Sequence, residues 1–572
     1  MDLLVAAPRP PAADPPPAAG PPRGRILTGA NGVRAVAHLL AWAPFVIAVA
    51  RLVSRGWRPV ADGAAIAIRS WDVLTAHGPL VGQATRLASG VFDPGPLQYW
   101  LQTLPLHLDP AHGLLWGAAL WCMAAASLAI EGAWSAAGPG AALAASATVL
   151  ATVAWMPGVA LQPFWNPWFG VMFLYASVAL AWAVLAGRRG WWPVLVAVAS
   201  VAAQAHLMFT VLAAALVVVA LAAGLPGMIR EHAGYRWLAA GLAVGAACWS
   251  APLIQQFTGR RGNLTALLHA QAATGRQEGL GFGLKAIAAA AGPPAIWWKP
   301  LESLLNPDLI GARSALAGAV IVLITAAALV VAWRSLRSRW LTALGVVSLL
   351  ASAGAVASFA SIAVRAIPPH PSPLDTVNYL MIPLLLTGAL CWFTIGSAVV
   401  LAVRRAVGRR SGAAATGQHA AGDRERPAAA GRAAGTTIAL GATAIAVAAL
   451  LAAGASAAVV HDGHEFPGVA DRQVVRAVGI AAARIERQVP RQPLVLSVYA
   501  PGIAYRKRRL LLGLAFVLRT RGYAPEVTAF GPELGPRYVV RGRPIGRARV
   551  VLRGRAVSVV ITGARGGGGH PG

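Results

Sequence analysis

The chain is 572 residues long, 57% hydrophobic and only 12% charged. Soluble globular proteins carry about 25% charged residues, so the composition excludes an ordinary soluble enzyme and a disordered chain. The formal net charge is +29, and only three of the 49 basic residues are Lys. A GC-rich coding bias together with membrane topology accounts for this Arg excess. Nucleic-acid binding needs a basic face with access to nucleic acid, which the topology argues against, so no nucleic-acid partner is expected.

Apolar segments of about 20 residues, the length that crosses roughly 30 Å of hydrocarbon, recur along the chain. Residues 1–33 precede them and are rich in Pro and Ala without an apolar core, which predicts a disordered cytoplasmic tail. Gln204-Ala205-His206 interrupts one apolar run and predicts two short helices joined by a tight turn. About eleven transmembrane helices are predicted, near residues 35–53, 112–132, 140–160, 168–187, 191–205, 207–224, 236–254, 314–333, 341–363, 377–402 and 436–460.

Basic loops predict the orientation of these helices, because Lys and Arg are enriched in the cytoplasmic loops of membrane proteins. With eleven spans, four Arg-containing loops fall on one side together with the N-terminus, and this side is predicted to be the cytoplasm. Arg51, Arg55 and Arg58 fall on the other side and do not follow the rule. The four loops contain Arg188 and Arg189; Arg230 and Arg236; Arg334, Arg337 and Arg339; and Arg404, Arg405, Arg409 and Arg410.

The predicted fold class is an all-α polytopic membrane protein with a small C-terminal α/β extracytoplasmic domain. In the C-terminal region, Arg506–Arg521 has helical periodicity, and short strand-like runs lie on both sides of it. The protein is predicted to be multi-pass in the cytoplasmic membrane, with the C-terminus outside. The predicted parts are a transmembrane domain at 34–403 with long outer loops at 54–111 and 255–312, a cytoplasmic linker at 404–435, a last span at 436–460, and the extracytoplasmic domain at 461–572.

Ionisable residues are almost absent from the centres of the predicted spans, which argues against an ion-coupled or proton-coupled transporter. Polar groups concentrate in the outer loops instead. Asp62 lies a few residues after the first span and therefore close to the membrane interface. Asp93 precedes Pro94-Gly95-Pro96, which restricts the backbone of a turn. These two residues are the catalytic candidates, and the alternative is a solvated loop whose charges simply face water.

Several short motifs follow one another along the chain: Asp62 after the first span, Pro79-Leu80-Val81-Gly82, Pro94-Gly95-Pro96-Leu97, Trp165-Asn166-Pro167, Gln204-Ala205-His206, Pro252-Leu253-Ile254-Gln255-Gln256 and Gly262-Asn263-Leu264. In this order they resemble the GT-C superfamily of polytopic membrane glycosyltransferases. The sequence looks most like actinobacterial membrane proteins related to the protein mannosyltransferase and arabinosyltransferase group. The resemblance covers roughly residues 35–400, and the C-terminal region agrees in architecture only.

The resemblance implies an enzyme that takes a sugar from a polyprenyl-phosphate donor. It implies transfer on the outer face of the cytoplasmic membrane, among membrane lipids, to an envelope glycan, lipid or protein acceptor. An acidic residue of the first outer loop, matched here by Asp62, would act as general base or help to hold a divalent metal ion, the one cofactor that the resemblance leaves open. The sequence departs from the family pattern of two adjacent acidic residues, since Gly63 follows Asp62.

The chemistry of sugar transfer fits these residue types. A sugar hydroxyl is a poor nucleophile, and a positioned carboxylate that takes its proton accelerates transfer by about 10²–10⁴. Arg and Lys can bind the phosphate of the leaving group. The alternative role for these basic side chains is contact with lipid head groups. Two other hypotheses stay open, a non-catalytic membrane protein on this scaffold and a flippase or transporter of lipid-linked sugars. The substrate-binding candidates are Arg69, His206, Arg260, Arg261, Lys299 and Arg365.

Overall fold

Long apolar helices make up most of the structure, a computed structural model. Eight helices in the part of the chain that it describes are long and apolar enough to cross a membrane. The protein is a polytopic helical membrane protein. The described residues are 29–85, 88, 90–230, 234–259, 261–272, 275–292, 310, 313–362, 382–416, 447, 449–461, 472–499, 504–540, 546–553 and 556–562.

A helix lies at each of the eleven positions where the sequence predicts a span. Helices are expected there because a backbone in lipid must satisfy its hydrogen bonds within the segment. Shorter helices lie between the spans. The helices are α1 (Gly29–Ser54), α2 (Ala61–Trp71), α3 (Leu97–Leu108), α4 (Gly113–Ala137), α5 (Pro139–Trp155), α6 (Gly158–Leu161), α7 (Asn166–Leu185), α8 (Trp192–Ala205), α9 (Leu207–Arg230), α10 (Gly234–Thr258), α11 (Asn263–Ala272), α12 (Gly279–Ala291), α13 (Ala315–Val330), α14 (Arg339–Ala360), α15 (Ile382–Thr416) and α16 (Ala449–His461).

The interrupted apolar run folds as two helices joined by a single residue. His206 is extended, with φ −154° and ψ 133°, between α8 and α9. Arg189, just before α8, lies so close to Gly227, near the end of α9, that a Cβ on Gly227 would collide with its guanidinium. The two helices are therefore antiparallel, and the predicted tight turn is confirmed.

The basic loops lie together at one end of the helical bundle. The guanidinium of Arg339, at the start of α14, packs against Gly187, and Arg405 of α15 donates a 2.9 Å hydrogen bond to the carbonyl oxygen of Ser335. Arg188 donates to the carbonyl oxygen of Ser135 at 3.0 Å. These contacts define a basic end, which agrees with the prediction that the Arg-containing loops share one side.

The first helix starts at this basic end and finishes at the opposite one. Arg34 of α1 donates a 2.6 Å hydrogen bond to the carboxylate of Glu131, one turn before Ser135 in α4. His38 contacts the same carboxylate at 2.7 Å. Since α1 begins beside the last turn of α4, the segment that follows α1, including α2, lies at the end opposite the basic loops.

Part of the predicted second outer loop, residues 255–312, belongs to the helical bundle. The N–H of Glu278 donates to the carbonyl oxygen of Ile362 at the opposite end, whereas the indole of Trp392, well inside α15, donates to the carbonyl oxygen of Ala291 at 2.9 Å. Helix α12 thus enters the bundle between α13, α14 and α15. Its 13 residues, which include Lys285, are too few to predict a span, which is why the sequence pattern did not predict this entry.

The C-terminal region is a small α/β unit, in agreement with the prediction. Its sheet has the strand order β2-β1-β3-β4, in which β1 pairs parallel with β2 and β3, and β3 pairs antiparallel with β4. Leu510, Leu511 and Leu514, predicted with Val517 on one apolar face of a helix, are fully buried, but Val517 is only partly buried and the other faces are buried as well, with Leu512 at 0% and Phe516 at 2% exposure. The elements are α17 (Arg472–Gln488), β1 (Pro493–Tyr499), α18 (Ala504–Thr520), β2 (Ala524–Val527), α19 (Gly531–Leu534), β3 (Gly546–Arg553) and β4 (Ala556–Thr562).

Candidate functional site

The C-terminal unit docks on α2, immediately after the first span. Helix α18 packs across α2, and Gly513 approaches the segment before it so closely that a Cβ there would lie 3.2 Å from Cγ1 of Val60. The close approach needs a small residue at this crossing. The docking brings polar side chains of α2 against basic side chains that follow them by more than 440 residues.

Asp62 lies in the first turn of α2, where a carboxylate interacts favourably with the helix dipole. Its carboxylate accepts a hydrogen bond from Arg508 of α18, and the other terminal nitrogen of Arg508 donates to Glu533 at 2.7 Å. The Asp62 side chain is 34% exposed and that of Arg508 22%. Ala61 precedes Asp62 with φ +50°, a left-handed conformation that costs a non-glycine residue about 1–2 kcal/mol.

Arg508 stays protonated at any physiological pH. Burial lowers the pKa of its guanidinium, but the charges of Asp62 and Glu533 outweigh burial and raise the pKa above its ordinary value. The guanidinium also lies over the ring of Phe530, 5.6 Å from its centroid. One cation is thus shared by two carboxylates that come from different parts of the chain.

Arg69, a predicted substrate-binding residue, lies two turns after Asp62 on α2 and faces the same C-terminal unit. It is buried and donates a 3.1 Å hydrogen bond to the carbonyl oxygen of Leu534. Its guanidinium lies 5.8 Å from the centroid of the Tyr99 ring. In this structure Arg69 therefore joins α2 to α3 and α19.

Asp93 is buried at the junction of several segments, at the end of the bundle opposite the basic loops. Oδ2 accepts a 3.0 Å hydrogen bond from the side-chain amide of Asn166, the first residue of α7. Oδ1 accepts one from the backbone N–H of Leu207, the first residue of α9, also at 3.0 Å. Asp93 therefore ties two helix N-termini to the turn that leads into α3.

Burial raises the pKa of Asp93 to about 8, although the hydrogen bonds from Leu207 and Asn166 oppose this rise. Its carboxyl group is therefore largely protonated at neutral pH. A buried carboxyl group whose two oxygens are already hydrogen-bonded is poorly placed to take a proton from a substrate. Asp93 instead stabilises the surrounding turn.

Asn263 extends this network to the segment after α10. Its side-chain amide donates to the carbonyl oxygen of Phe92 at 3.0 Å, and its Oδ1 accepts from the backbone N–H of the same residue. The backbone N–H of Asn263 in turn donates to Oε1 of Gln255 at 2.7 Å. The side chain of Asn263 thus pairs with both backbone groups of Phe92, as a residue of a neighbouring β-strand would.

Gln204 joins the same network from α8. Its Oε1 accepts a hydrogen bond from the backbone N–H of Leu97, and its Nε2 donates to the carbonyl oxygen of Cys248 at 2.8 Å. Gly95 packs so tightly against Gln204 and Pro252 that a Cβ would collide with both. The structure therefore brings five of the sequence motifs into one cluster around the buried Asp93, called here the Asp93 network: Pro94–Leu97, Trp165–Pro167, Gln204–His206, Pro252–Gln256 and Gly262–Leu264.

The two predicted catalytic carboxylates belong to separate networks. Asp62 faces the C-terminal unit, whereas Asp93 faces the starts of α7 and α9. Phe164 packs against α2, since its ring would lie 3.0 Å from a Cβ on Gly63, and its carbonyl oxygen accepts a hydrogen bond from Gln98 of α3. The two Asp residues thus have different hydrogen-bond partners.

The other predicted substrate-binding residues are scattered. His206 is a partly buried member of the Asp93 network, and its Nδ1 accepts a hydrogen bond from the backbone N–H of Met208 at 3.3 Å. The side chain of Arg261 is exposed in the turn between α10 and α11. Arg260, Lys299 and Arg365 lie outside the described residues.

The carboxylates in place do not fit the divalent metal ion that the resemblance leaves open. The guanidinium of Arg508 holds Asp62, and a cation at that position competes with a metal. Both oxygens of Asp93 accept hydrogen bonds from N–H groups. In the described part of the chain, no three His, Cys, Asp or Glu side chains are grouped as metal ligands would be.

A narrow apolar cavity of about 10 Å³, room for about one water molecule, lies between α7, α9, α14 and α15, beginning two residues after His206. Its walls carry aliphatic and aromatic side chains with a few hydroxyls, and neither Asp62 nor Asp93 lines it. The lining residues include Leu174, Met208, Phe209, Leu212, Phe359 and Thr387.

Sequence reasoning missed Arg508 and Glu533, and it assigned Asn166 no chemical role. Both Arg508 and Glu533 lie in the Arg-rich C-terminal region, where nothing local distinguishes one basic residue from its neighbours. The signal that could have pointed to Asn166 is its motif, because Asn before Pro at a helix start is a frequent capping arrangement.

Comparison with known proteins yields a fold similarity alone. No family profile and no curated protein matches the sequence. Among solved structures, the chain is similar to the crystal structure of ArnT from Cupriavidus metallidurans in the apo state, with a TM-score of 0.44 and 17% sequence identity. The match covers 93% of this chain and 98% of that chain. At this identity no residue role passes from one chain to the other, so the site rests on the contacts of this chain.

Proposed function

We propose that the protein is a membrane glycosyltransferase that moves a sugar from a polyprenyl-phosphate donor to an acceptor on the outer face of the cytoplasmic membrane. The acceptor class is an envelope glycan, lipid or protein. The C-terminal unit and the Asp93 network lie on that outer face, and the basic end of the bundle lies in the cytoplasm.

The observation that carries this proposal is the convergence of the motifs. Five segments that lie as much as 170 residues apart meet in the Asp93 network, at the end of the bundle that also bears Asp62. The motifs were selected only by their order along the chain. Their meeting in one hydrogen-bond network supports a common site.

Asp62 is the residue to which we assign the acceptor proton. Its carboxylate is partly exposed, follows the first span by a few residues, and is preceded by the strained backbone of Ala61. Strained residues persist where the surrounding structure holds them and are common at functional sites. Asp93 has a positioning role, in which it holds the starts of α7 and α9 at the rim of the site.

A non-catalytic protein on the same scaffold is the second candidate, and one observation favours it. The carboxylate of Asp62 is already engaged by Arg508, so the only partly exposed candidate base is part of a contact between domains. If that ion pair never opens, α2 serves as a docking platform and the protein has no transferase activity.

The test is transfer by the purified full-length protein in lipid nanodiscs, supplied with a panel of radiolabelled polyprenyl-phosphate sugars and an envelope extract as acceptor. We expect label to pass from at least one donor to a product that is no longer lipid phosphate. Retention of all label in the donors, with the protein folded, would favour the non-catalytic scaffold.

A further inference from the structure

Arg508 differs from the other interdomain cations in the way its charge is shared. One terminal nitrogen donates to Asp62 and the other to Glu533, so each carboxylate holds only one side of the guanidinium fork. Two negative charges surround one positive charge. The side chains of Arg508, Asp62 and Glu533 are 22%, 34% and 33% exposed, so that solvent or a ligand can reach all three.

The neighbouring ion pair shows the contrast. Asp72 is 2% exposed and accepts hydrogen bonds from Arg519, Arg537 and Tyr538, all from the C-terminal unit. This cluster fixes the unit on α2 without Arg508. The Asp62–Arg508 contact can therefore open while the two domains remain docked.

A phosphate is the ligand that suits the vacated fork. Arg binds phosphate through two parallel charge-assisted hydrogen bonds, a geometry that two separate carboxylates only imitate. Arg508 projects from the C-terminal unit towards the first turn of α2, a few residues beyond the end of the first span.

We propose that Arg508 is the binding site for the phosphate of the lipid-linked donor, which takes the place of Asp62 on the guanidinium. This inference rests on the proposed function. It makes the C-terminal unit part of the site, because that unit supplies the cation and α2 supplies the carboxylate.

The exchange also places each charge where transfer needs it. The acceptor hydroxyl oxygen forms a bond to C1 of the sugar, and the bond between C1 and the phosphate oxygen breaks with its electron pair on the phosphate. The hydroxyl proton moves to Asp62, which the exchange has released from Arg508. The leaving lipid phosphate gains one negative charge, and Arg508 stabilises it.

The test is direct binding, which does not depend on turnover. Full-length protein in nanodiscs of neutral lipid is titrated with farnesyl monophosphate, and with inorganic phosphate as a separate arm, by isothermal titration calorimetry. We expect the wild type to bind farnesyl monophosphate and Arg508→Gln to bind about 10- to 100-fold more weakly, the scale of a charge-assisted hydrogen bond. Weaker binding of inorganic phosphate identifies the lipid as the source; equal binding of both identifies a free-phosphate site and overturns the donor assignment.

The variant that decides between a ligand site and a structural contact is Asp62→Asn. Removing the competing carboxylate should tighten farnesyl monophosphate binding several-fold while transfer is lost. A purely structural ion pair predicts instead that Asp62→Asn and Arg508→Gln weaken binding together, along with thermal stability. Arg521→Gln is the matched control, because it removes an Arg that immediately follows the same helix and pairs with Glu486 rather than with α2, and it should leave binding unchanged.

The outcomes separate the two proposals. If the wild type transfers sugar and binds farnesyl monophosphate, but Arg508→Gln binds it as tightly, this inference is wrong and the proposed function stands. If the wild type shows neither binding nor transfer, both are wrong.

Discussion

The hydroxyl of Tyr538 donates a 2.8 Å hydrogen bond to Oδ2 of Asp72, 466 residues earlier in the chain. Arg519 and Arg537 donate to Oδ1 of the same carboxylate, at 3.0 Å and 3.4 Å. The negative charge of Asp72, at the end of α2, is thus neutralised by basic side chains of the C-terminal unit. This contact fixes the orientation of α18 and thereby places Arg508 beside Asp62.

Replacing Asp72 tests how the C-terminal unit is held. Asp72→Ala leaves Arg519 and Arg537 without their carboxylate in a buried contact, a change that typically costs about 3–5 kcal/mol. We expect faster hydrogen exchange in α18 and earlier proteolytic release of the C-terminal unit. The control is Glu486→Gln, which removes a partly exposed pair with Arg521 and should cost about 1 kcal/mol or less. Equal effects of the two substitutions would contradict the interlocking role of Asp72.

Asp62→Asn tests the assigned base. The change keeps size and polarity but removes the charge, so expression and membrane insertion should be normal while transfer falls by about 10² or more. Asp109→Asn is a matched control in the same loop region, because its side chain is 35% exposed against 34% for Asp62. Near-normal transfer by Asp62→Asn together with loss of transfer in Asp93→Asn would move the chemistry to Asp93.

Asp93 should make stability depend on pH. Its folded pKa of about 8 lies above the ordinary value of about 3.9, so the folded state holds a proton that the unfolded state lacks between these values. The stabilisation is therefore complete below about pH 4 and is lost as pH rises through about 8. Asp93→Asn, which does not titrate, should gain in Tm relative to the wild type between about pH 6 and pH 9. A difference in Tm that stays constant over this range would show that Asp93 is ionised throughout.

The entry of α12 into the bundle depends on close packing at Gly318 of α13. A Cβ on Gly318 would collide with the carbonyl oxygen of Leu284 in α12. Gly318→Val should therefore destabilise the bundle by about 1–3 kcal/mol, the usual cost of overpacking, seen as a lower Tm in nanodiscs. Gly396→Ala is the control, since nothing lies within 4 Å of a Cβ there and Ala favours a helix. A tolerated Gly318→Val would mean that α12 does not pack against α13 at this depth.

Cysteine labelling tests the orientation of the two ends. Ser558 is exposed on β4, and Ser335 is exposed at the basic end. In intact cells a membrane-impermeant maleimide should label Ser558→Cys and should label Ser335→Cys only after the membrane is opened. The reverse pattern would invert the proposed topology. Cys122 and Cys391 are buried and Cys248 is only partly exposed, so the background from native thiols should be low.

The sequence by itself determined the helices of the membrane part. Each apolar block became a helix because a backbone in hydrocarbon must satisfy its hydrogen bonds within the segment, and that requirement is local. The same holds for the break at His206, where polar residues interrupt the apolar run, and for the helical period that predicted α18. The small C-terminal α/β unit was predicted from other local patterns, a helical period with short strand-like runs on both sides of it.

The site was only half predictable. Asp62, Asp93 and the motifs around Asp93 stood out in the sequence as polar groups in an apolar chain, but their partners did not. Asp93 binds Asn166 and Leu207, 73 and 114 residues away, and Asp62 binds Arg508, 446 residues away. No period or motif encodes contacts at such separations.

The tertiary structure alone decided which Arg, among the many in the chain, faces Asp62 and which faces Asp72. It also decided that α12 enters the bundle, since a 13-residue apolar helix carries no length signal of its own. The physical reason is the same in both cases. Local pattern controls the hydrogen bonds within a helix, whereas the pairing of charges and the depth of a short helix depend on how separate helices pack against one another.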